Sequence, residues 1–276
     1  MTERLSNKTE GETEPVSNKA KLSIYIIAYN EADKIADAVS SALWADEVIV
    51  ADSHSSDNTA VIAESLGARV VQLDFNGFGK LRNDAIAACS HDWVFSLDAD
   101  ERCTPEAAEE ISSIINRPDA ADLWYTPRRN WFMGRWIKHC GWYPDYRQPQ
   151  LFRKHALIFN NNDEVHEGFE THGSIDYMQH AIWQIPFKDL SQVQEKGKRY
   201  SSLGAIKLER NNVSASMGKA LARGLWAFFR IYILKLGFID GWAGFVIAFG
   251  NLEGTFYRYA KLNERQKALN KPPSLP

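Results

Sequence analysis

The chain has 276 residues, with 32 Lys plus Arg against 35 Asp plus Glu for a net charge of -3, and it is 45% hydrophobic and 12% aromatic. That composition excludes a disordered chain, and three cysteines, Cys89, Cys103 and Cys140, without CxxC or His/Cys spacing indicate neither a disulfide framework nor a zinc site. The charge is badly mixed: residues 1–187 carry 17 basic and 29 acidic side chains, whereas residues 188–276 carry 15 and 6, which suggests two regions with different partners.

Residues 1–20 are polar and lack the apolar core of a signal peptide, so they read as a disordered lead-in. From Leu22 the text LSIYIIAYN predicts a buried strand ending near Ala28. Ile35, Val39, Ala42 and Leu43 then recur at helical spacing, and EVIVAD predicts a second strand ending at Asp52. The cycle repeats with a helix from Asn58 to Leu66 stopped by Gly67, a strand RVVQL, a helix from Gly79 to Ala88, and the strand WVFSLDAD. Such alternation predicts an α/β fold with parallel strands, and ligands of such sheets bind outside the carboxyl ends of the strands.

Those ends are acidic. The first delivers Tyr29, Asn30 and Glu31, the second Asp52 with Ser53, Ser55 and Asp57, and the fourth Asp98, Asp100 and Glu101. Crowded carboxylates call for a cation or for hydrogen-bond donors, and hard oxygens at the Asp98-Ala99-Asp100 spacing suit Mg²⁺ or Mn²⁺ shared with a diphosphate. The same residues also suit solvated turns and helix caps. Lys80, Arg82 and Asn83 open a helix, where an anionic phosphate is favoured and where an ordinary solvated face is equally suited. There is no GxGxxG after the first strand, no GxxxxGK[ST] and no GxSxG, which argues against dinucleotide, P-loop and nucleophile-elbow chemistry.

Further along, Trp131, Trp136, Trp142 and Tyr143 interleave with Arg128, Arg129, Arg135 and Arg147, a mixture that suits sugar faces and anions or, alternatively, an aromatic core. Nucleic acid is excluded by the acidity of this half. Asp163-Glu164-Val165-His166-Glu167 is the densest titratable cluster outside the strand ends, although the preceding Asn160-Asn161-Asn162 is strong turn chemistry. Residues 218–252 hold the most hydrophobic text, interrupted by Arg230, Lys235 and Asp240, and the longest charge-free run there is too short to span a bilayer. Lys219, Arg223 and Arg230 fall within about 40° on a helix, the form of an interfacial amphipathic helix. Gly224, Gly237, Gly241 and Gly244 predict two short helices joined near Gly237–Gly241.

The motifs IIAYNEADKI, VIVADSHSSDNT, GKLRNDAI and VFSLDADE, taken in order over residues 22 to about 102, resemble the nucleotide-sugar half of a family 2 glycosyltransferase with the GT-A fold. The downstream text GWYPDYRQPQLFRK, DEVHEGFE and YILKLGFIDGWAGFVIA is similar to the subgroup that builds the lipopolysaccharide inner core, including its β-1,4-glucosyltransferases, and extends the likeness to residue 265. The resemblance implies a GT-A (Rossmann-like) nucleotide-sugar-binding sheet flanked by helices; the basic excess and interrupted apolar text after it predict a C-terminal helical membrane-associating appendage, with core helices or a dimer interface as the alternative. Residues 21–187 would be the catalytic domain, with a donor half 21–102 and an acceptor half 103–187, and residues 188–276 a basic amphipathic region.

The resemblance also implies residue roles. Asp100 holds a divalent metal, Mg²⁺ or Mn²⁺, with Asp98 near the ribose or the metal and Lys80 or Arg82 near the donor phosphates. Asp52 meets the nucleobase in a pocket lined by Ala28, Asn30 and Glu31. Glu167 fits the family's His-Glu motif as general base, with Glu164 and Asp145 as rivals, and Trp142, Tyr143, Asp145 and His166 lie on the acceptor side. The expected reaction is inverting transfer of glucose from UDP-glucose to a lipid-linked saccharide. The expected location is cytoplasmic, peripheral on the inner face of the cytoplasmic membrane, held by anionic lipid at roughly 1 kcal/mol per Lys or Arg. A sugar-phosphate nucleotidyltransferase would need a Gly-rich, Lys-bearing loop where this chain has AYNEADK, and a non-catalytic nucleotide- or lipid-binding adaptor would tolerate loss of Asp100 and Glu167.

Overall fold

A computed structural model of the chain describes residues 19–160 and 168–267. The expected lead-in lies outside the described residues except for Lys19 and Ala20, and so do Asp163, Glu164, His166 and Glu167.

The first half alternates as its hydrophobic pattern dictates, through β1 (Leu22–Ala28), α1 (Ile35–Ala42), β2 (Glu47–Asp52), α2 (Thr59–Ser65), β3 (Arg69–Gln72), α3 (Phe78–Ala88) and β4 (Trp93–Asp98). β1 pairs in parallel with both β2 and β4, and β2 with β3. These strands are apolar on both faces because both are covered. Leu22, Ile24 and Ile26 point with Val48, Val50 and Phe95 into a core roofed by Ile35 and Val39 of α1 and by Ile111 of α4 (Pro105–Ile115). Tyr25, Ile49 and Val94 point the other way, onto Ala85 and Ile86 of α3 and onto Phe159. Each fully buried aliphatic or aromatic side chain contributes about 1.5–3 kcal/mol, so the three layers are held by side chains that leave the strands alternately toward two covered faces.

The strands that follow are short: β5 (Glu101–Arg102), β6 (Leu123–Tyr125), β7 (Arg128–Phe132), β8 (Arg135–Trp136), β9 (Pro149–Arg153), β10 (Leu157–Phe159), β11 (Phe169–Thr171), β12 (Ile175–Tyr177) and β13 (Ile182–Gln184). β9 inserts antiparallel between β4 and β6, giving a seven-stranded sheet of order β12-β6-β9-β4-β1-β2-β3. A second sheet, β5-β13-β7-β8, starts directly after the β4 turn and so brings Gln184 and Arg128 to the carboxyl end of the main sheet.

The chain ends in α5 (Leu190–Arg210), α6 (Met217–Phe229), a π-helical turn over Arg230–Leu234, a 3-10 turn over Gly237–Asp240, and α7 (Gly241–Lys267). Asp189 and Ser216 cap α5 and α6 by accepting from the Gln192 and Lys219 amides. The break falls where expected, but α7 runs for 27 residues and is not short. The glycines counted as breakers instead permit close crossing. A Cβ on Gly244 would strike the Gly237 carbonyl, and one on Gly224 would lie 3.1 Å from the Leu252 oxygen. Among the described residues no single helix is long and apolar enough to cross a membrane, and the two helical stretches bend by 74° between them. Ile231, Ala243 and Ile247 share one apolar cluster with Phe132, Ile137 and Cys140, so the helical end is packed onto the sheet domain.

Candidate functional site

The loops after β1 and β2 are zipped together by the short polar residues that mark them. Ser53 donates its amide to the Ala28 carbonyl at 3.0 Å. Asn30, at φ 54, donates its amide to Ser55 Oγ at 2.9 Å, and its Oδ1 accepts from the Ser56 amide at 2.8 Å. The Glu31 amide donates to Thr59 Oγ1 at 2.8 Å and the Ala32 amide to Asp57 Oδ2 at 3.1 Å. Asp52 is fully buried and accepts from the Ser55 amide at 2.9 Å and from the Ser55 hydroxyl. Ala28, Asn30, Glu31 and Asp52 are therefore brought together, and turn chemistry builds the place where they meet.

At the end of β4 the two aspartates have different surroundings. Asp98 Oδ1 accepts from Arg82 Nη2 at 2.9 Å, and Arg82, itself buried, also donates to Ser96 Oγ at 3.1 Å and lies 5.7 Å from the Phe159 ring. Burial works against ionisation of Asp98, but the Arg82 and Arg128 guanidiniums overcome it and hold the carboxyl below its usual value. Asp100 has a weaker set: its carboxylate is faced by Gln184 Nε2 at 3.4 and 3.5 Å. Burial, reinforced by the Asp98 charge, pushes the Asp100 carboxyl upward against the pull of Lys34 and Lys196.

Glu101 does not face outward with them. Its Oε1 accepts from Arg128 Nε at 2.6 Å, and its Oε2 from Gln150 Nε2 at 2.9 Å and the Asp98 amide at 3.1 Å, which closes the turn carrying both aspartates. Burial drives this carboxyl up to about 7, whereas Arg128, although burial works against its charge, is raised by the Glu101, Asp98 and Asp145 carboxylates. Among the described residues three donors and no acceptor hydrogen-bond to the Glu101 carboxylate, and that arrangement favours the ionised form.

Of the two cations expected at phosphates, Arg82 is committed to Asp98, and Lys80 pairs with Asp84 one helical turn on, at 2.7 Å. The i,i+4 geometry places Lys80 at the helix surface beside Asp84, and Arg82 meets the site through Asp98; a contact of either with the donor phosphates is a proposal. Asp145 pairs with Arg147 at 2.9 Å and stands 4.0 Å from Arg128 Nη1. Trp142 packs against Phe132 at 5.9 Å, a core contact, while Tyr143 meets Trp136 edge-on at 5.2 Å. Arg129 stacks over Trp136 at 5.0 Å and over Trp183 at 5.7 Å.

The segment with His166 and Glu167 is outside the described residues, but the residues that flank it, Asn160 and Gly168, are held. Asn160 donates its amide to the Gly168 carbonyl at 2.8 Å, and Asn83 of α3 clamps Phe159 through both backbone groups at 2.8 and 3.0 Å. Gly79 permits this approach, because a Cβ there would strike the Asn160 carbonyl. Gln150, Gln184 and Lys196 escaped sequence reasoning. The two glutamines had a signal, as lone polar residues inside apolar strand text, and Lys196 had none.

The chain matches the family model "Glycosyl transferase family 2" over residues 23–171. It belongs to that family. It is 28% identical over 263 residues to an uncharacterized glycosyltransferase of Rickettsia felis, across 88% of this chain and 90% of that protein. It is 24% identical over 265 residues to the lipopolysaccharide core biosynthesis glycosyltransferase LpsC of Rhizobium meliloti, across 92% and 96%. In architecture it resembles S. aureus TarS 1-349 in complex with UDP, with a TM-score of 0.50 at 15% identity over 90% of this chain and 92% of that one. The seven-stranded sheet is thus a GT-A-type nucleotide-sugar fold. A family 2 glycosyltransferase must stabilise a departing nucleotide and orient an acceptor hydroxyl.

Proposed function

We propose that this family 2 glycosyltransferase transfers glucose from UDP-glucose, with inversion, to a heptose or similar sugar of a lipid-linked glycan such as the lipopolysaccharide inner core. The observation that carries the donor reading is the state of Asp100, a largely enclosed carboxylate beside a second acid, whose hydrogen-bond donor among the described residues is one distant amide. Such a site fits a divalent cation, Mg²⁺ or Mn²⁺, held by Asp100 and Asp98. Among the described residues no cluster of three or more His, Cys, Asp or Glu gathers, so phosphate oxygens and water would complete the shell, as Mg²⁺ prefers. When bound, the ion neutralises charge on the leaving diphosphate. The chain does the rest: Arg82 orients Asp98, Glu101 closes the turn, and the Ala28, Asn30, Glu31 and Asp52 pocket takes the nucleobase. Glu167 is the general base. Its rival Asp145 is already committed to Arg147.

The acceptor reading is supported by LpsC, whose name assigns it to lipopolysaccharide core, and by an apolar face on α6, the following turns and α7. Leu225, Trp226, Leu234, Phe238, Ile239 and Trp242 are all about half exposed or more, far more than scattered surface apolars warrant. Arg223, Arg230 and Lys235 are exposed around it, and the one acid between residues 211 and 252, Asp240, is buried against Lys138 and His139. A second copy would set cations against cations, whereas an anionic bilayer complements them. This reading puts the enzyme on the inner face of the cytoplasmic membrane.

The test is transfer with a panel of nucleotide sugars, with and without Mn²⁺ or Mg²⁺, onto lipid-linked core acceptors. Glu167→Gln should retain donor binding and lose transfer, by roughly 10²- to 10⁴-fold for a general base. Failure of every nucleotide sugar to bind or turn over would sink the proposal.

A further inference from the structure

We propose that Lys196, on α5 and beyond the segment that matches the family model, is a diphosphate-binding residue of the donor site. The inference rests on the donor reading above.

One short stretch of chain straps Lys196 to the metal-site acid. The Ile185 amide donates to the Asp100 carbonyl at 2.8 Å, and the preceding Gln184 faces the Asp100 carboxylate. The next residue, Pro186, accepts from Lys196 Nζ at 3.0 Å, and the ammonium stands 4.9 Å from the ring of Phe187. Asp100 and Lys196 are thus both tied to residues 184–187, and each feels the other's charge. Elimination sharpens the point. Arg82 is spent on Asp98, Arg128 on Glu101, Arg147 on Asp145, Lys80 on Asp84 and Lys34 on Glu31 at 3.3 Å. The contacts of Lys196 are neutral, a carbonyl and a ring, and among the described residues no carboxylate lies within 4.0 Å of it. An ammonium has three donors, and it is costly to half-bury one without an anion. Burial accordingly lowers its proton affinity, against the pull of Asp100. An anion bridging Asp100's cation and Lys196 relieves both costs, and a diphosphate has the charge and oxygens to do so.

The experiment is calorimetric titration of UDP and of uridine into wild type, Lys196→Met and Lys196→Arg, each with Mn²⁺ and with EDTA. The expected result is that Lys196→Met weakens UDP binding by about 10- to 100-fold, the worth of one charge-assisted hydrogen bond, in both conditions. Uridine binding and the melting temperature should stay unchanged, and Lys196→Arg should recover most of the UDP affinity. Equal UDP affinity in wild type and Lys196→Met overturns this inference alone, as does an equal loss of uridine, which marks a structural role. Wild type that binds neither ligand overturns the donor reading and this inference with it.

Discussion

The Arg82–Asp98 pair should behave as one unit whose loss is felt in both folding and donor binding. Arg82 keeps 4% of its side chain exposed and Asp98 32%, at an N–O separation of 2.9 Å. Breaking a fully buried pair by removing one partner costs about 3–5 kcal/mol. Water reaches a third of Asp98, so the discounted figure is about 1.5–3 kcal/mol, that of a hydrogen bond to a charged group. Arg82→Met leaves Asp98 beside Asp100 with its main counter-charge gone, and Asp98→Asn leaves a buried guanidinium with Ser96 and the Phe159 ring. Urea unfolding of wild type, both single variants and the double variant isolates the coupling. Because the Asp98 carboxyl is held below its ordinary carboxylate value, its contribution is present above the unfolded value and fades as pH falls through the folded one. Wild type and Arg82→Met should therefore converge in acid. Additive single effects at pH 7, within about 0.5 kcal/mol, or a difference that survives into acid, would refute the reasoning.

Three further outcomes follow from particular contacts. Burial opposes ionisation of Glu47, but hydrogen bonds from Ser23, the Ser90 amide, Arg69 and the Ser90 hydroxyl hold its carboxyl down at about 2 against 4.5 unfolded. Wild type should thus lose stability relative to Glu47→Gln as pH falls from about 4.5 toward 2, and parallel pH profiles in denaturant titrations would contradict this. Gly79→Ala forces a Cβ onto the Asn160 carbonyl and should destabilise by about 1–3 kcal/mol, lowering the calorimetric melting temperature by several degrees, with an unchanged or higher value counting against the close approach. Replacing Phe238 and Trp242 together by Asp should abolish flotation with anionic vesicles while leaving UDP affinity intact, and undiminished flotation would remove the helical face from the membrane reading.

What the sequence made legible depended on how local the physics is. β1, β2 and β4 are continuous apolar runs because both faces are covered, and no other element type explains runs of that length and β-branched content. β5 to β13 have two to five residues each, too few for a period to emerge, and their pairings are set by partners tens of residues away. The carboxylates at the strand ends were visible because topology puts strand ends at the site. Lys80 was read as a phosphate ligand, and its pairing with Asp84, four residues on, was legible from helical spacing alone. Lys196 could not have been found, since only the return of β13 to the β4 turn brings α5 beside Asp100. The glycines of α6 and α7 were read through backbone propensity, when their role is set by the neighbour that their missing Cβ admits.

The charge asymmetry along the chain divides, in the folded protein, into a part that is internal and a part that is not. Lys188 pairs with Asp33, Lys196 feels the Asp100 charge, and Asp240 accepts from the Lys138 and His139 amides, so the two halves meet through polar groups. α5 is in turn fastened to α7 by Lys261, which donates to Ser201 and Ser202, and by Arg265 with Glu209 at 2.5 Å. Exposed among the cations of the helical end are Arg223, Arg230 and Lys235, around the apolar face of α6 and the turns that follow it. On the readings proposed above, the helical end offers a cation to the donor site on one side and a cationic, apolar surface on the other. Proteins that need their helices only for packing have no reason to leave both ends unsatisfied, because each costs stability alone. The two ends make sense together if the donor nucleotide and the membrane-borne acceptor are to be held in register by the same piece of structure.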